Sequence, residues 1–190
     1  HGTKNVSRDH NVNMTVHYVM DDGSDAPSDN KQTLSFTENG IQDLVTKDIT
    51  WTPADSQTFK DVVTPKLTGY TPDQDKAAGQ TVNFGDTDIN VTVHYNADAQ
   101  TATITYIDDT DNKTLGSDNQ NGKFNQVITF EHDPAEVIKG LEEKGYVFVS
   151  NTFENQKYQA DNKSNSFEVH LKHGTKNVSR DHNVNMTVHY

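Results

Sequence analysis

The segment HGTKNVSRDHNVNMTVHY occurs twice, at His1–Tyr18 and again at His173–Tyr190, identical at all 18 positions and offset by 172 residues. Identity over that length marks a repeated unit, so the chain holds one full repeat and the opening of the next. A period of 172 is far beyond the roughly 20–50 residues of solenoid and propeller repeats. Each period therefore has room for one or two complete domains joined in series, and its length suits two small ones.

Composition narrows the class. Only 31% of the 190 residues are hydrophobic, which is low for one large globule but above the range of disordered chains, so small, thinly cored domains fit best. A formal charge of −12 argues against nucleic acid and anionic membrane surfaces, both of which are bound through basic patches. No run of 18 apolar residues is present, so neither a transmembrane helix nor a signal peptide is expected within these residues. Cysteine is absent, which removes disulfides and thiolate metal sites. Asn13, Asn90 and Asn112 each open an Asn-x-Thr triplet, a glycan acceptor only in a eukaryotic secretory pathway.

Periodicity predicts strands nearly throughout. Residues 1–11 are polar and aperiodic and read as a linker. Val12, Met14, Val16 and Tyr18 then alternate with Asn13, Thr15 and His17 in the manner of a half-buried strand. Turn residues from Met20 to Pro27 break it, and Leu34 and Phe36 open a second strand that completes a hairpin. Apolar residues at Ile41, Val45, Ile49 and Trp51 continue as strand. Pro53–Asp61 offers an N-cap and two turns of helix before Pro65, and Ile89–Tyr95 is the closing strand of a first domain. In the second half, Ala102–Ile107 is a strand and Val127–Phe130 its return. Asp133 caps a helix with Pro134 at its first position, Glu136 in a capping box, an apolar face of Val137, Ile138 and Leu141, and a stop at Gly145. Tyr146–Ser150 and Phe167–Leu171 follow as strands.

The expected fold is thus α+β and strand-dominated: two tandem ubiquitin-like β-grasp domains in an elongated arrangement. Residues 1–11 form the linker, 12–97 the first domain, 98–173 the second, and 174–190 a linker with the first strand of the next repeat. The first copy of the 18-mer should end inside a sheet. The second, whose Val184, Met186, Val188 and Tyr190 lack a partner, should be extended.

Several segments carry a family resemblance. In the second half they are Ile104–Asp109 with Lys113–Leu115, Gly140–Val149 (GLEEKGYVFV) followed by Ser150–Phe153, and Phe167–His173; in the first half, Val16–Tyr18 leading into an acidic turn, Gln32–Thr37, Ile49–Pro53 and Leu67–Pro72. Together they resemble the repeats of lactobacillal mucus-binding (Mub) surface proteins, which contain the domain called MucBP. The resemblance implies an extracellular, cell-wall-anchored adhesin of a Gram-positive bacterium, its repeats extending from the surface to bind host mucin glycoproteins. It also implies β-grasp modules similar to bacterial immunoglobulin-binding domains. Immunoglobulins, bound along a sheet edge, are therefore an alternative partner, and a non-binding spacer of a surface stalk is an alternative role. Neighbouring repeats of the same chain are further expected partners.

No nucleophile elbow, phosphate loop or His-Glu-x-x-His pattern is present, so the chain is not expected to be an enzyme. No cofactor is required. Asp108, Asp109 and Asp111 are carboxylates that would suit calcium, although Asx-rich turns account for them without an ion. Candidate glycan contacts are Trp51, Tyr70 and Tyr158, aromatic rings that either stack on a sugar or anchor a core. His17, His94, His170 and His189 should face outward from their strands. Protonating all nine histidines would take the charge from −12 to −3, which makes acid-dependent adhesion a hypothesis.

Overall fold

The alternating end of the first 18-mer becomes the centre of a sheet. In the computed structural model, which describes all 190 residues, β1 (Thr3–Met20) lays Val12, Met14, Val16, Tyr18 and Met20 on one buried face. Burying each such side chain contributes about 1.5–3 kcal/mol. β2 (Asn30–Asp43) pairs antiparallel along β1, from Val16↔Asn30 to Thr3↔Asp43. The predicted linker over residues 1–11 is therefore corrected to strand from Thr3 onward. A main-chain ladder takes any residue with a free N–H, and side-chain bonds such as Thr37 Oγ1 to Asp9 Oδ1 (2.7 Å) suit polar residues to it.

β3 (Ile49–Thr52) adds to the outer edge of β2. The continuous strand expected from Ile41 to Trp51 is interrupted, because Asp43 Oδ1 accepts the N–H groups of Val45 and Thr46 and Lys47 takes φ of 67°. The helix expected over Pro53–Asp61 does not form. That stretch is held extended by β2: Gln57 donates to the Ser35 carbonyl (2.8 Å), Lys60 N–H donates to Gln32 Oε1 (3.0 Å), and Phe59 sinks to 2% exposure. β4 (Gln57–Thr58) pairs with β8 (Thr81–Val82), and β5 (Val62–Val63) with β7 (Lys76–Ala77). β6 (Tyr70–Pro72) lies antiparallel beside β9 (Ile89–Ala97), which runs parallel to β1. The sheet order is β3-β2-β1-β9-β6. These elements belong to one compact unit, His1–Asp98; the second is Ala99–Tyr190.

The second unit opens with β10 (Ala99–Asp108) and β11 (Lys113–Lys123), an antiparallel hairpin with a bulge at Tyr106–Ile107. β11 carries one aliphatic residue, Leu115, yet it takes the place expected of Val127–Phe130, which supplies only an isolated bridge at Val127 and two buried anchors, Ile128 and Phe130. Helix α1 (Pro134–Glu143) starts as expected at Asp133, whose side chain accepts the Ala135 N–H, and stops before Gly145 at φ of 103°. β12 (Tyr146–Asn151) is antiparallel to β13 (Ser166–His173), which is parallel to β10, giving the order β11-β10-β13-β12. Buried Asn165, at the end of the short 3-10 turn Asn162–Asn165, pairs its amide with both backbone groups of Gln159 (2.7 and 2.9 Å).

Both units thus place a hairpin, then a strand parallel to its first arm, with an edge strand beyond. One spans the crossover with two nested, two-residue antiparallel pairs, the other with a helix. Residues 174–190 carry no regular structure.

Candidate functional site

Beyond His10, the even-numbered face of β1 leaves the apolar core and carries charge. Arg8 Nη2 donates to Glu38 Oε1 at 2.6 Å, with Nε at 3.1 Å from the same oxygen, and the Ala54 N–H donates to Glu38 Oε2 at 2.9 Å. That N–H, and then Arg8, hold the Glu38 carboxyl below the usual carboxylate range. The guanidinium carbon of Arg8 sits 4.2 Å from the centroid of the Trp51 ring and 4.8 Å from that of Phe84. His10 tilts against Phe84 at 5.5 Å. Trp51 reaches this position because it pairs with Gly40, where a Cβ would stand 2.8 Å from its ring. The result is a fixed row, Trp51–Arg8–Phe84–His10, with Trp51 half-buried and 44% of the Arg8 side chain exposed. Sequence reasoning singled out Trp51 but missed its companions. The available signal was the register: Arg8 falls on the same face as Val12, Met14 and Val16.

The other two aromatic candidates separate. Tyr70 donates to Asp22 Oδ2 at 2.7 Å and lies 3.1 Å from Ser24 Oγ, a half-buried ring tied to the β1–β2 turn. Contacts from Ser24 first, then Tyr70, lower the pKa of Asp22. Tyr158 is a correction: at 1% exposure it lies in the core, its hydroxyl donating to the Gln120 carbonyl, and a Cβ on Gly122 would stand 2.2 Å from its ring. A sugar has no access to that face.

The three carboxylates considered for calcium are also divided. Asp108, fully buried, accepts the Thr110 and Asp111 N–H groups on Oδ1 and meets His173 Nε2 at 2.8 Å on Oδ2, with Asp111 Oδ2 3.4 Å from the same nitrogen. Burial works to raise its pKa, but His173 and the two N–H groups prevail and lower it. Asp109 instead turns to His170 Nδ1 at 2.6 Å. The loop thus closes on itself through histidines, and Lys113 approaches Asp111 at 3.9 Å. His173 lay outside the candidates because the calcium reading considered only the carboxylates of the Asp108–Asn112 turn, 61 or more residues away in sequence.

The outward strand histidines recur as carboxylate partners. His94 lies 2.9 Å from Asp21, and His170 lies 2.6 Å from Asp109 and 2.8 Å from Glu168. Donating to Asp21 raises the pKa of His94; donating to Asp109 and then to Glu168 raises that of His170. His17 meets Asp29 at 2.6 Å. His189 is exposed in the second copy.

The outer faces of the two hairpins match. Thr33 donates to Asn13 (2.6 Å) across β1 and β2; Thr101 donates to Asn121 (2.9 Å) and Thr103 to Asn119 (2.7 Å) across β10 and β11. These are exposed hydroxyl–amide ladders. The surface hollows are shallow, such as one of about 610 Å³ lined by Phe36, Thr37, Asn39 and Thr52–Asp55 with Gln57. No helix is long and apolar enough to cross a membrane.

A family profile described as Muc B2-like domain matches residues 3–99, and one described as mucin binding domain matches residues 100–173. Among similar solved structures, a mucin-binding domain from Streptococcus pneumoniae is 20% identical, with 50% of this chain and 96% of that one covered and a TM-score of 0.46. A MucBP domain from Lactobacillus acidophilus is 32% identical over 51% of this chain and 100% of its own, with a TM-score of 0.45. The type 2 repeat of the mucus binding protein from Lactobacillus reuteri is 28% identical, with 52% of this chain and 60% of the repeat covered and a TM-score of 0.42. No protein of curated function matches the chain.

Proposed function

Because the chain belongs to the Muc B2-like family in its first unit and carries a mucin binding domain in its second, we propose that it is an adhesive repeat of a bacterial surface protein that binds host mucin glycoproteins through many weak contacts. The parent is read as extracellular and held at the cell wall. Both units are read as variants of the β-grasp, supported by their shared order of hairpin, parallel return strand and antiparallel edge strand.

The observation that carries the binding reading is the row around Arg8. The chain has two arginines, Arg8 and Arg180, at one position of the repeated segment. In a protein of charge −12, bulk attraction to acidic glycans is absent, so an acidic sugar needs a local cation. Arg8 is held between two aromatic rings with 44% of its side chain exposed. Glu38 takes its Nε and one Nη2 proton, so the remaining Nη1 and Nη2 edge of the guanidinium is what a sugar carboxylate or sulfate would meet, with the half-buried Trp51 ring beside it. One such contact per repeat is weak. Linking repeats raises avidity by roughly 10²–10⁴ without a new contact.

The test is binding of this chain to immobilised mucin, with Trp51→Ala and Arg8→Lys alongside and folding of each variant checked by its unfolding transition. Saturable binding that both variants weaken and that enzymatic deglycosylation removes is the expected result. No saturable binding by the chain makes it a spacer. Binding that survives deglycosylation moves recognition from sugar to polypeptide.

A further inference from the structure

The duplicated 18-mer displays the two halves of a joint. The first copy records what its leading His-Gly pair does with the unit that follows. His1 Nδ1 lies 2.8 Å from Asp43 Oδ2, and the Gly2 carbonyl accepts the Leu44 N–H at 2.9 Å. The second copy records what the same pair does with the unit that precedes. His173 Nε2 lies 2.8 Å from Asp108 Oδ2, the His173 N–H donates to Thr110 Oγ1 at 3.0 Å, and the Gly174 N–H donates to the Gly145 carbonyl at 2.9 Å. The Tyr146 ring stands edge-on to His173 at 5.7 Å.

No atom is claimed twice. The preceding unit takes Nε2, the histidine N–H and the glycine N–H. The following unit takes Nδ1 and the glycine carbonyl. An imidazolium donates from both nitrogens, so one charged ring can serve both carboxylates. The glycine has its own reason: a Cβ on Gly174 would stand 2.6 Å from the Gly145 carbonyl oxygen, whereas one on Gly2 meets nothing closer than Leu44 Cδ1 at 3.4 Å. The chain between the ladders is also minimal. β13 ends at His173, and β1 begins at Thr3, the counterpart of Thr175, so where β1 forms again in a following unit Gly174 alone separates the two strands.

We infer that, wherever one repeat follows another, this His-Gly pair makes both sets of bonds at once and couples the second unit of one repeat directly to the first unit of the next. The partner surface is the end of the β2 ladder at Asp43 and Leu44 in the following copy. The joint is short and stiff, where the polar composition of the segment suggested a free linker. It rests on the array reading of the duplication and is independent of what the repeats bind.

The experiment uses a chain in which residues 19–98 follow Tyr190, so that the second 18-mer opens a complete first unit. The natural chain has no cysteine, so two introduced cysteines, one replacing exposed Ser117 and one replacing the appended counterpart of exposed Ser35, take spin labels uniquely. The expected result is a single narrow distance distribution, with slowed amide exchange at Gly174 and at the appended counterpart of Leu44. Asp→Asn at the appended counterpart of Asp43 should broaden the distribution while leaving the second unit's unfolding unchanged. His173→Ala should abolish the exchange protection of Gly174. A folded appended unit with a broad distribution and unprotected amides overturns the joint alone. An appended unit that fails to fold overturns the array reading and the joint together.

Discussion

One sequence, two fates: Val12, Met14, Val16 and Tyr18 in the first copy of the 18-mer are 0–4% exposed, whereas their counterparts Val184, Met186, Val188 and Tyr190 in the second are 84%, 88%, 55% and 116% exposed. Local propensity is identical by construction, so it does not decide between them. What differs is supply of partners. The first copy has β2 on one side and β9 on the other, with registers that place all four residues over one core. The second has neither, and the same alternation yields an exposed segment without regular structure. Strand propensity is in this sense a statement about a waiting surface rather than about the residues alone.

The sharpest way to break that comparison is a matched pair of core truncations. Met14→Ala should cost the first unit about 2–5 kcal/mol in urea unfolding, because it opens a cavity in the core that the sheet covers. Met186→Ala, the same change one period on, should stay within about 0.5 kcal/mol. Equal effects would mean that the second copy also has a buried partner. Glycine reverses the asymmetry. Gly174→Ala drives a Cβ toward the Gly145 carbonyl and should cost the second unit about 1–3 kcal/mol, whereas Gly2→Ala should leave the first unit within about 0.5 kcal/mol; a null result at Gly174 would dissolve the close approach.

Acidity sharpens the contrast further. His94, on the strand flanking the first copy, has its pKa raised by Asp21. A raised histidine contributes stability that is fully present below its unfolded pKa of about 6.5 and is lost as pH climbs through the folded value. The first unit should therefore unfold at higher urea at pH 6 than at pH 8, and His94→Gln should flatten that difference. The smallest effect belongs to Tyr106, which occupies in β10 the place of Tyr18 in β1. Its hydroxyl is buried without a partner, and burial pushes its pKa up to about 12. Tyr106→Phe should change the second unit's stability by no more than about 0.5 kcal/mol, or raise it, since it removes an unpaired polar group; a clear loss would reveal a bonded hydroxyl.

Legibility followed side-chain burial. β1 beyond Val12, β9, β10 and β13 were readable because buried and exposed positions alternate along them, and α1 was readable from Asp133, Pro134 and Gly145. The polar half of β1 and all of β11 were not, since a backbone ladder with Thr–Asn bonds leaves no hydrophobic signature. The false helix at Pro53–Asp61 shows the converse error: a local cap signal yielded to the long-range pull of Phe59 and Gln57. At the site, Trp51 was visible by its rarity. Arg8 and Glu38 were not, because their meaning lies in pairing across β1 and β2 at Arg8↔Glu38.

The parallel alignment of first and last strands carries a mechanical consequence. In the first unit the chain enters along β1 and leaves along β9, and in the second along β10 and β13; each pair runs parallel at the middle of its sheet. Tension applied at the two ends of a unit pulls such neighbours past each other lengthwise. Their ladder bonds then bear the force together in shear instead of parting one by one. A unit pulled from its two ends is thereby clamped along its central parallel pair.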